Sequence, residues 1–516
     1  MQVLADASAT TRARRISGVV RVVVPLLLGG AIALVPTPAG LTPAAWHYFA
    51  LFVSVITLII TEPIPAAAIG LAGVTAAAVL GFVRDTPAAS AQWALSGFGN
   101  TIVWLIFAAF MFTVGYAQTG LGRRIALHLV RLLGHRTLGL GYAVALADLA
   151  FAPFTPSATA RSAGTIYPVI SHIPSLYGSQ PDALARRRTD VEPAGRAEGS
   201  EGLVHPTVQG EVGTSRLLGA YLLYTALAVS FVTSSMFITA LAPNALAITI
   251  IEQQTGVSVS WTQWFVGFAP VGITLLLLTP AVLYVIYPPS IRTAPEVPRW
   301  AVEELRGMGP MSRHEITLFV LVGSALALWI GATDYIDPAL TAILIVLLMV
   351  VCGVVSWDDV IGQKQAWNVL IWFGTLVTLA GGLADTGFVG WLGKATAPTF
   401  TSLSLGVAIV AIVVTFFALH YFFASITAHT ATLLPVFLAV AVSMTAISPT
   451  RWSLLLGYPL GLMGVLTFYA SGQSVIYYAS GYISRRDFWV LGLVMGVMYI
   501  SVYLLLITPW LQFLGY

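Results

Sequence analysis

Long apolar runs separated by short polar segments make up most of this chain. Eleven runs are close to the roughly 18 to 25 residues that a helix needs to span the hydrocarbon core of a bilayer. They lie near residues 18–36, 44–62, 66–83, 100–118, 217–250, 262–288, 315–333, 338–355, 366–385, 452–478 and 487–510. The pattern predicts an all-α polytopic membrane protein with about 11 transmembrane helices.

Two further apolar stretches, 138–173 and 403–443, are too long for one span, and each has a polar interruption near its centre. The interruptions follow one pattern, Ser157-Ala158-Thr159-Ala160-Arg161 and Ser425-Ile426-Thr427-Ala428-His429. Hydroxyls and nitrogen cations are costly at this depth and usually mark a functional site. We therefore predict two re-entrant helical hairpins with functional residues at their tips.

Composition supports a membrane-embedded protein. Hydrophobic residues make up 58% of the chain and charged residues only 9%, with a mean hydropathy of +0.87. These values exclude an ordinary soluble globular protein. The single cysteine, Cys352, excludes an internal disulfide. We expect contact with membrane lipid and no nucleic-acid partner.

The basic residues give the predicted orientation. If both hairpins are re-entrant, 20 of the 24 Lys and Arg fall on one side, Arg84, Lys394 and Arg451 on the other, and Arg161 within the membrane. Such an excess marks the cytoplasmic side. We expect a cytoplasmic N-terminus that serves as a signal anchor, an external C-terminus and, from the richness in alanine, glycine and arginine, a bacterial inner membrane.

The two halves of the chain share a layout. Gly115, Ala117, Thr119 and Gly120 recur 267 residues later, and the hairpin motifs recur at a shift of 268. An odd number of intervening spans would invert the second half, the plan of many secondary transporters. The predicted segments are 1–43 (N-terminus and first helix), 44–288 (first repeat, with hairpin 138–173 and cytoplasmic loop 174–216), 289–314 (cytoplasmic linker) and 315–516 (second repeat, with hairpin 403–443).

A broken helix is predicted after each hairpin. Pro243 interrupts the run 217–250, and Gly472 interrupts the run 452–478. The N-termini of broken helices and hairpin tips carry free N–H groups and partial positive charge, which suit an anion. The candidate substrate-binding residues are Ser157, Ala158, Thr159, Arg161, Asn244, Ser425, Ile426, Thr427, His429 and Ser474. We predict no catalytic residue, metal ligand or cofactor.

Several of these residues have structural alternatives. Arg161 could pair with Asp148, thirteen residues earlier in the same hairpin. Asn244 could simply cap the broken helix. His429 could be a packed histidine, and serines or threonines in membrane helices often bond only to nearby carbonyls.

The hairpin motifs resemble those of the divalent anion sodium symporter family from about residue 44 to the C-terminus. The resemblance rests on residues 153–161, 423–430 and 477–484, which are most similar to the family's exchangers of citrate, succinate, tartrate, 2-oxoglutarate and malate. It implies a homodimer that works by an elevator motion. It also implies a small organic anion as substrate and a second one as counter-substrate.

The chain departs from the family at both hairpin tips. Family tips commonly read Ser-Asn-Thr, with an asparagine that helps to bind sodium and substrate, whereas this chain has Ala158 and Ile426. The departure predicts sodium-independent exchange of dicarboxylates or tricarboxylates, with Arg161 and His429 as the fixed positive charges. A sodium-coupled dicarboxylate symporter is the alternative.

Two other functional classes fit the sequence less well. An intramembrane enzyme would need a catalytic signature, but His314-Glu315 is not followed by a histidine at zinc-site spacing, and the chain has no Gly-x-Ser-x-Gly elbow. A channel would not need paired closed hairpins, which favour alternating access. We therefore predict a transporter.

Overall fold

The computed structural model describes residues 20–181, 214–400 and 404–516, and within this part of the chain helices dominate. Nine of its helices are long and apolar enough to cross a bilayer: Pro43–Thr61, Thr101–Thr119, Thr137–Phe154, Gly219–Met236, Trp261–Ile286, Arg313–Gly331, Lys364–Asp385, Leu405–Phe422 and Arg485–Phe513. Four apolar helices are shorter: Val20–Leu34, Ala66–Val79, Pro338–Val351 and Ile426–Val442. The prediction of an all-α membrane protein is confirmed.

Short helical segments fill the connections, and the sequence pattern did not separate most of them. The further α-helices are Pro87–Leu95, Leu121–Leu133, Tyr167–Ile170, Ala242–Thr255, Glu296–Met308, Trp357–Gly362, Phe388–Phe400, Pro449–Gly457, Pro459–Leu462 and Gly472–Ala479. Thr159–Ile166 is π-helical. The 3₁₀ turns are Ser96–Gly99, Ala152–Phe154, Pro174–Tyr177, Thr214–Leu217, Ile238–Ala240, Leu419–Phe422 and Met463–Val465.

The elements follow the same order twice along the chain. Two apolar helices, a short helix, a further apolar helix and an amphipathic segment precede a hairpin, a broken helix and a final long helix. The first series runs from Pro43–Thr61 to Trp261–Ile286, and the second from Arg313–Gly331 to Arg485–Phe513. This shared order is what a duplicated transporter fold requires, while the opposite orientation of the two series stays a prediction.

Helix Gly219–Met236 lies at the centre of the structure. Every one of its residues is buried, so no face of it meets lipid. It packs against Trp261–Ile286 and against the first arm of the first hairpin, Thr137–Phe151. Its alanines, serines and threonines allow this close packing, which is typical of helix contacts in membranes.

Both central helices break where the sequence predicts. After Met236 the chain turns to an extended conformation at Phe237, and a new helix starts at Ala242 with a proline in its first turn. In the second half the chain leaves helical geometry after Met463–Val465 and restarts at Gly472, with Ser471 as the extended N-cap residue. Proline suits a first helical turn because it has no N–H to pair there.

Polar caps fix where several spanning helices begin. The hydroxyls of Ser260 and Ser312 accept hydrogen bonds from Gln263 N and Glu315 N, at 3.1 Å each, and both form complete capping boxes. Asp337 and Ser484 cap in the same way. Such caps satisfy N–H groups that the helix cannot pair itself.

Two amphipathic helices pack against each other outside the spanning bundle. They are Leu121–Leu133, ahead of the first hairpin, and Glu296–Met308, which was not predicted within the linker 289–314. Arg124 Nε donates to Glu315 Oε1 at 2.6 Å, and the two side chains are almost fully buried. This ion pair fixes the first amphipathic helix to the start of helix Arg313–Gly331.

The ends of the predicted cytoplasmic loop 174–216 are held together. Ser179 Oγ donates to Thr214 O at 2.8 Å, and Gln180 N donates to Thr214 Oγ1 at 3.0 Å. Residues 1–19 of the predicted signal anchor, residues 182–213 of the loop and residues 401–403 of the second hairpin lie outside the described part of the structure.

Gly97 lies where a short turn meets the backbone of helix Lys364–Asp385. An added Cβ would lie 1.9 Å from the carbonyl oxygen of Gly374, which cannot move aside. We expect Gly97→Ala to destabilise the protein by about 1–3 kcal/mol, the usual cost of overpacking. Thermal unfolding of the purified protein in detergent measures this change. Gly99→Ala is the control, because open space surrounds that position; equal effects of the two variants would contradict the close approach.

Candidate functional site

One cavity of about 270 Å³ lies where both hairpin tips and both broken helices meet. The first tip contributes Pro156, Ser157, Ala158 and Thr159, and the second contributes Ala424, Ser425, Ile426 and Thr427. The broken helices contribute Leu241, Ala242 and Pro243 on one side and Ser471, Gly472 and Gln473 on the other. The volume is close to the lower limit for small-molecule sites.

Four helices begin at the wall of this cavity. They start at Thr159, Ala242, Ile426 and Gly472. The N-terminus of a helix carries roughly half a positive charge. Four such ends supply about two positive charges to one small cavity, which matches the charge of a dicarboxylate.

A serine hydroxyl accepts a hydrogen bond at three of these helix starts. Ser157 Oγ accepts from Ala160 N at 3.2 Å, Ser425 Oγ accepts from Ala428 N at 3.3 Å, and Ser471 Oγ accepts from Ser474 N at 3.3 Å. A hydroxyl that accepts from the backbone still has its own proton to donate. The O–H groups of Ser157 and Ser425 are therefore available to an anion in the cavity.

Direct contacts join the first hairpin to both broken helices. Ala242 N donates to Pro156 O at 3.0 Å, which pairs the start of one broken helix with the hairpin tip. Gly472 faces Thr159 so closely that an added Cβ would lie 3.0 Å from the threonine hydroxyl. The geometry of the cavity thus depends on the small residue at position 472.

Arg161 does not line the cavity. It is fully buried, and its Nε donates to Asp148 Oδ2 at 3.0 Å. The rest of the guanidinium donates to the carbonyl oxygens of Thr155 and Ala240, at 3.0 and 2.9 Å, and to Ser234 Oγ at 2.8 Å. The structure therefore shows the pairing with Asp148 and places Arg161 outside the lining of this cavity.

The network around Arg161 ties the first hairpin to the first broken helix. Thr155 belongs to the hairpin tip, Ser234 to helix Gly219–Met236, and Ala240 to the break between the two helices. Thr233 also hydrogen bonds to Asp148. These bonds satisfy carbonyls that a broken helix leaves unpaired inside the protein.

Asn244 also lies outside the cavity and caps the break. Its side-chain nitrogen donates to Ser234 O at 2.6 Å and to Phe237 O at 2.9 Å. The side chain is fully buried. The structure thus places Asn244 in the capping role that the sequence left open, one layer behind the substrate cavity.

Two other predicted residues lie behind the second hairpin tip and the second break. His429 is fully buried among the rings of Phe416, His420 and Phe423, and neither of its nitrogens has a hydrogen-bond partner among the described residues. A charged imidazole there would lack a counter-ion, which is costly. Ser474 is buried against Ser471, and its hydroxyl lies 3.0 Å from Ser471 Oγ.

Sequence reasoning missed several residues that do line the cavity. Gln473 is the most polar of these buried residues: its Nε2 donates to Ser230 Oγ at 2.8 Å, while its Oε1 has no partner among the described residues. The others come from elements without a motif: Phe110, Phe231, Gln365, Val369 and Trp372.

Gln365 is one of the exposed residues of the cavity wall. It follows Lys364, the first residue of helix Lys364–Asp385. Ser425 and Gly472 are also exposed. Within the described residues, no group of three or more His, Cys, Asp or Glu side chains is placed to hold a metal ion.

Comparison with known proteins decides the family. The family description "Sodium:sulfate symporter transmembrane region" matches residues 17–516. The chain belongs to this family, the divalent anion sodium symporters. It is therefore a membrane transporter rather than an enzyme, and the family recognised from the hairpin motifs is confirmed.

Curated relatives are similar over nearly their whole length. The chain is 42% identical over 500 residues to the L-tartrate/succinate antiporters of Escherichia coli (strain K12) and Shigella sonnei (strain Ss046), covering 95% of this chain and 96% of each relative. These relatives confirm the resemblance to the exchanger branch.

A solved structure supports the fold. The Alcanivorax borkumensis YdaH transporter superposes with a TM-score of 0.54 at 14% identity, over 90% of this chain and 98% of that chain. At this identity the likeness concerns the fold alone.

The buried pair of Arg161 and Asp148 gives a stability prediction. Arg161→Met leaves the Asp148 carboxylate buried without its partner, and we expect a loss of about 3–5 kcal/mol. Arg84→Gln breaks an exposed pair with Asp385, at 2.8 Å, and should cost less than about 1 kcal/mol. Unfolding of each purified variant in detergent measures its loss of stability relative to the unaltered protein.

The double variant Asp148→Leu/Arg161→Met is the second control. It removes both charges, so we expect it to recover much of the stability that Arg161→Met loses. If Arg161→Met lost no more stability than Arg84→Gln, the result would contradict the structural role of the pair.

Proposed function

We propose that this protein exchanges C4 dicarboxylates, one of them succinate, across the membrane by alternating access. The observation that carries the proposal is the convergence of four helix N-termini on one cavity that also presents serine and threonine hydroxyls. Within residues 20–181, 214–400 and 404–516, no carboxylate lines that cavity. The relatives named as L-tartrate/succinate antiporters support the substrate class.

Charge balance offers a reason for exchange. The helix ends place roughly two positive charges around the cavity, and a bound dicarboxylate neutralises them. An empty cavity has the same partial charges without an anion, so moving it through the low-dielectric membrane costs more. This mechanism replaces the expectation that Arg161 and His429 supply the positive charge, because Arg161 is paired with Asp148 and the rings around His429 favour a neutral imidazole.

Sodium-independent transport is part of the proposal. Ala158 and Ile426 line the cavity at the middle of the two tip motifs, and neither side chain offers an oxygen to a cation. Sodium prefers several oxygen ligands, as other hard cations do. The competing candidate is a sodium-coupled symporter that binds the ion through backbone carbonyls, and the family description, which names sodium, favours testing it.

The orientation and assembly also stay proposals. The positive-inside rule favours a cytoplasmic position for Lys364, next to Gln365 of the cavity wall. We place the protein in a bacterial inner membrane with the N-terminus cytoplasmic and the C-terminus external. The family resemblance supports a homodimer that works by an elevator motion. The mass of the detergent-solubilised particle measures the number of subunits directly.

A counterflow experiment tests exchange. Purified protein is reconstituted in liposomes preloaded with succinate, L-tartrate, malate, 2-oxoglutarate, citrate or buffer alone, and uptake of labelled succinate is followed with and without an inward sodium gradient. We expect uptake only into vesicles that contain a suitable dianion, at a rate independent of sodium. The reason is that an empty cavity cannot return without its anion.

Liposomes without protein and protein with Thr159→Val provide the controls. The variant removes a hydroxyl from the cavity wall and should lower uptake under every loading condition. Sodium-driven uptake into vesicles that contain only buffer would overturn the exchange mechanism and establish the symporter.

Gln473 offers a basis for selecting between C4 dicarboxylates. Gln473 lines the cavity, and its Oε1 is a buried acceptor without a partner among the described residues, which a substrate hydroxyl reaches once the side chain turns toward the cavity. The two hydroxyls of L-tartrate can donate to such an oxygen, but succinate has no hydroxyl. A buried acceptor left unpaired costs about 1–3 kcal/mol, so Gln473 should favour the hydroxylated substrate.

The variant Gln473→Met tests this selection. It keeps a side chain of similar length and removes the acceptor, so we expect the affinity for L-tartrate relative to succinate to fall about tenfold. Competition of each unlabelled anion against labelled succinate in the counterflow assay measures the ratio. Gln512→Met, at an exposed glutamine that does not line the cavity, should leave the ratio unchanged; an equal loss of both affinities in Gln473→Met would exclude a role in selection.

A further inference from the structure

A basic groove lies between the two amphipathic helices and shares no lining residue with the cavity at the hairpin tips. It has a volume of about 360 Å³. One wall consists of Arg124, His128 and Arg131, which lie on one face of helix Leu121–Leu133 at positions i, i+4 and i+7. Arg306 lies on the opposite wall, on helix Glu296–Met308. Among the residues that the structure describes, no carboxylate lines the groove.

The cations of the groove are not equally available. Arg124 is committed, because it pairs with Glu315 and donates to Gly309 O at 2.9 Å. Arg131 and Arg306 are exposed, and within the described residues neither forms an ion pair or a side-chain hydrogen bond. Two guanidinium groups therefore face the groove without an anion. Each guanidinium can hold a phosphate through two hydrogen bonds.

The chain order places the groove at a membrane surface. Leu121–Leu133 connects the end of Thr101–Thr119 to the start of Thr137–Phe151, and Glu296–Met308 follows Trp261–Ile286 and precedes Arg313–Gly331. All four neighbours are long apolar helices. Hydrogen bonds from Thr137 N to Arg292 O and from Ala294 N to His135 O, at 3.0 and 2.8 Å, hold the adjoining connections together. The helix pair thus lies at the level where spanning helices end.

Apolar surface accompanies the charge. Leu132, next to Arg131, is 72% exposed, and Val302 and Leu305 line the groove itself. A free phosphate has no apolar part that could pack against these side chains, whereas a phospholipid would place its acyl chains beside them. Amphipathic helices with basic faces bind anionic membrane surfaces in this way.

We propose that this groove binds the phosphodiester headgroup of an anionic phospholipid of the inner leaflet, with Arg131 and Arg306 as its ligands. The bound lipid holds the two amphipathic helices together at the membrane surface. The site is separate from the anion cavity at the hairpin tips, so it does not depend on the identity of the transported substrate.

The test uses the full-length protein, purified in detergent and stripped of lipid. Phosphatidylglycerol, phosphatidylcholine and inorganic phosphate are titrated separately, and the midpoint of thermal unfolding and the number of lipids retained in native mass spectrometry are recorded. A ligand that binds only the folded state raises the midpoint. We expect phosphatidylglycerol to stabilise the protein and to be retained, and the other two additives to do neither at the same concentration.

The variant Arg131→Gln/Arg306→Gln removes both free cations. Each basic residue near an anionic surface contributes about 1 kcal/mol, so the concentration of phosphatidylglycerol needed for half of the stabilisation should rise about tenfold or more. Arg299→Gln/Arg313→Gln is the matched control. It removes two exposed cations from the same region that do not line the groove, and it should respond to the lipid as the unaltered protein does.

Three results would overturn the proposal. Equal losses in both double variants would mean a non-specific charge effect, stabilisation by inorganic phosphate at the same concentration would mean a soluble ligand, and an unchanged response of Arg131→Gln/Arg306→Gln would mean no site. Succinate counterflow shows that each variant is folded. If the double variant fails to fold, Arg131→Gln alone keeps the test, with about a fivefold weaker lipid response expected.

Discussion

Backbone groups that cannot pair inside a membrane are the constraint on which this structure depends. A continuous helix satisfies its own N–H and C=O groups, but a helix that starts or stops within the bilayer leaves several of them unpaired. This protein has such interruptions at two hairpin tips and two broken helices, and it treats the two kinds of group differently. Buried side chains donate hydrogen bonds to the free carbonyls, whereas the N-termini of the helices face a common cavity.

The carbonyl side of this arrangement explains the most buried polar residues. Arg161 and Asn244 bond to carbonyls at Thr155, Ser234, Phe237 and Ala240, all near the first break or the first tip. The N–H side is left to the serines and to the transported anion. In the proposed mechanism, substrate binding completes the hydrogen bonding of the fold, and Arg161 and Asn244 support the site without lining the cavity.

The sequence predicted the spans, the hairpins and the two breaks because each has a local cause. Apolar length marks a span, and Pro243 or Gly472 marks a break. It also predicted that Ser157, Thr159, Ser425 and Thr427 would lie together, and the structure places all four at the wall of one cavity.

The role of Arg161 could not be fixed in this way, because a guanidinium suits a carboxylate of the substrate and one of the protein equally well. Only the distance to Asp148 separates the two. Gln473 was missed because its proposed role rests on its unpaired Oε1. The side chain is held by a hydrogen bond to Ser230, which is 243 residues away in sequence. The helix Glu296–Met308 was hidden by the polar composition of its surroundings.

The junction at Ser179 has a consequence for how the protein tolerates change. Its hydroxyl donates to Thr214 O and accepts from Gly219 N, while its carbonyl oxygen accepts from Tyr482. The points where the chain departs after Pro181 and returns before Thr214 are thereby fixed to each other and to the second half of the protein. The segment between them can therefore change in length or sequence during evolution without displacing the first hairpin. For the same reason, a fluorescent domain or affinity tag can be inserted there.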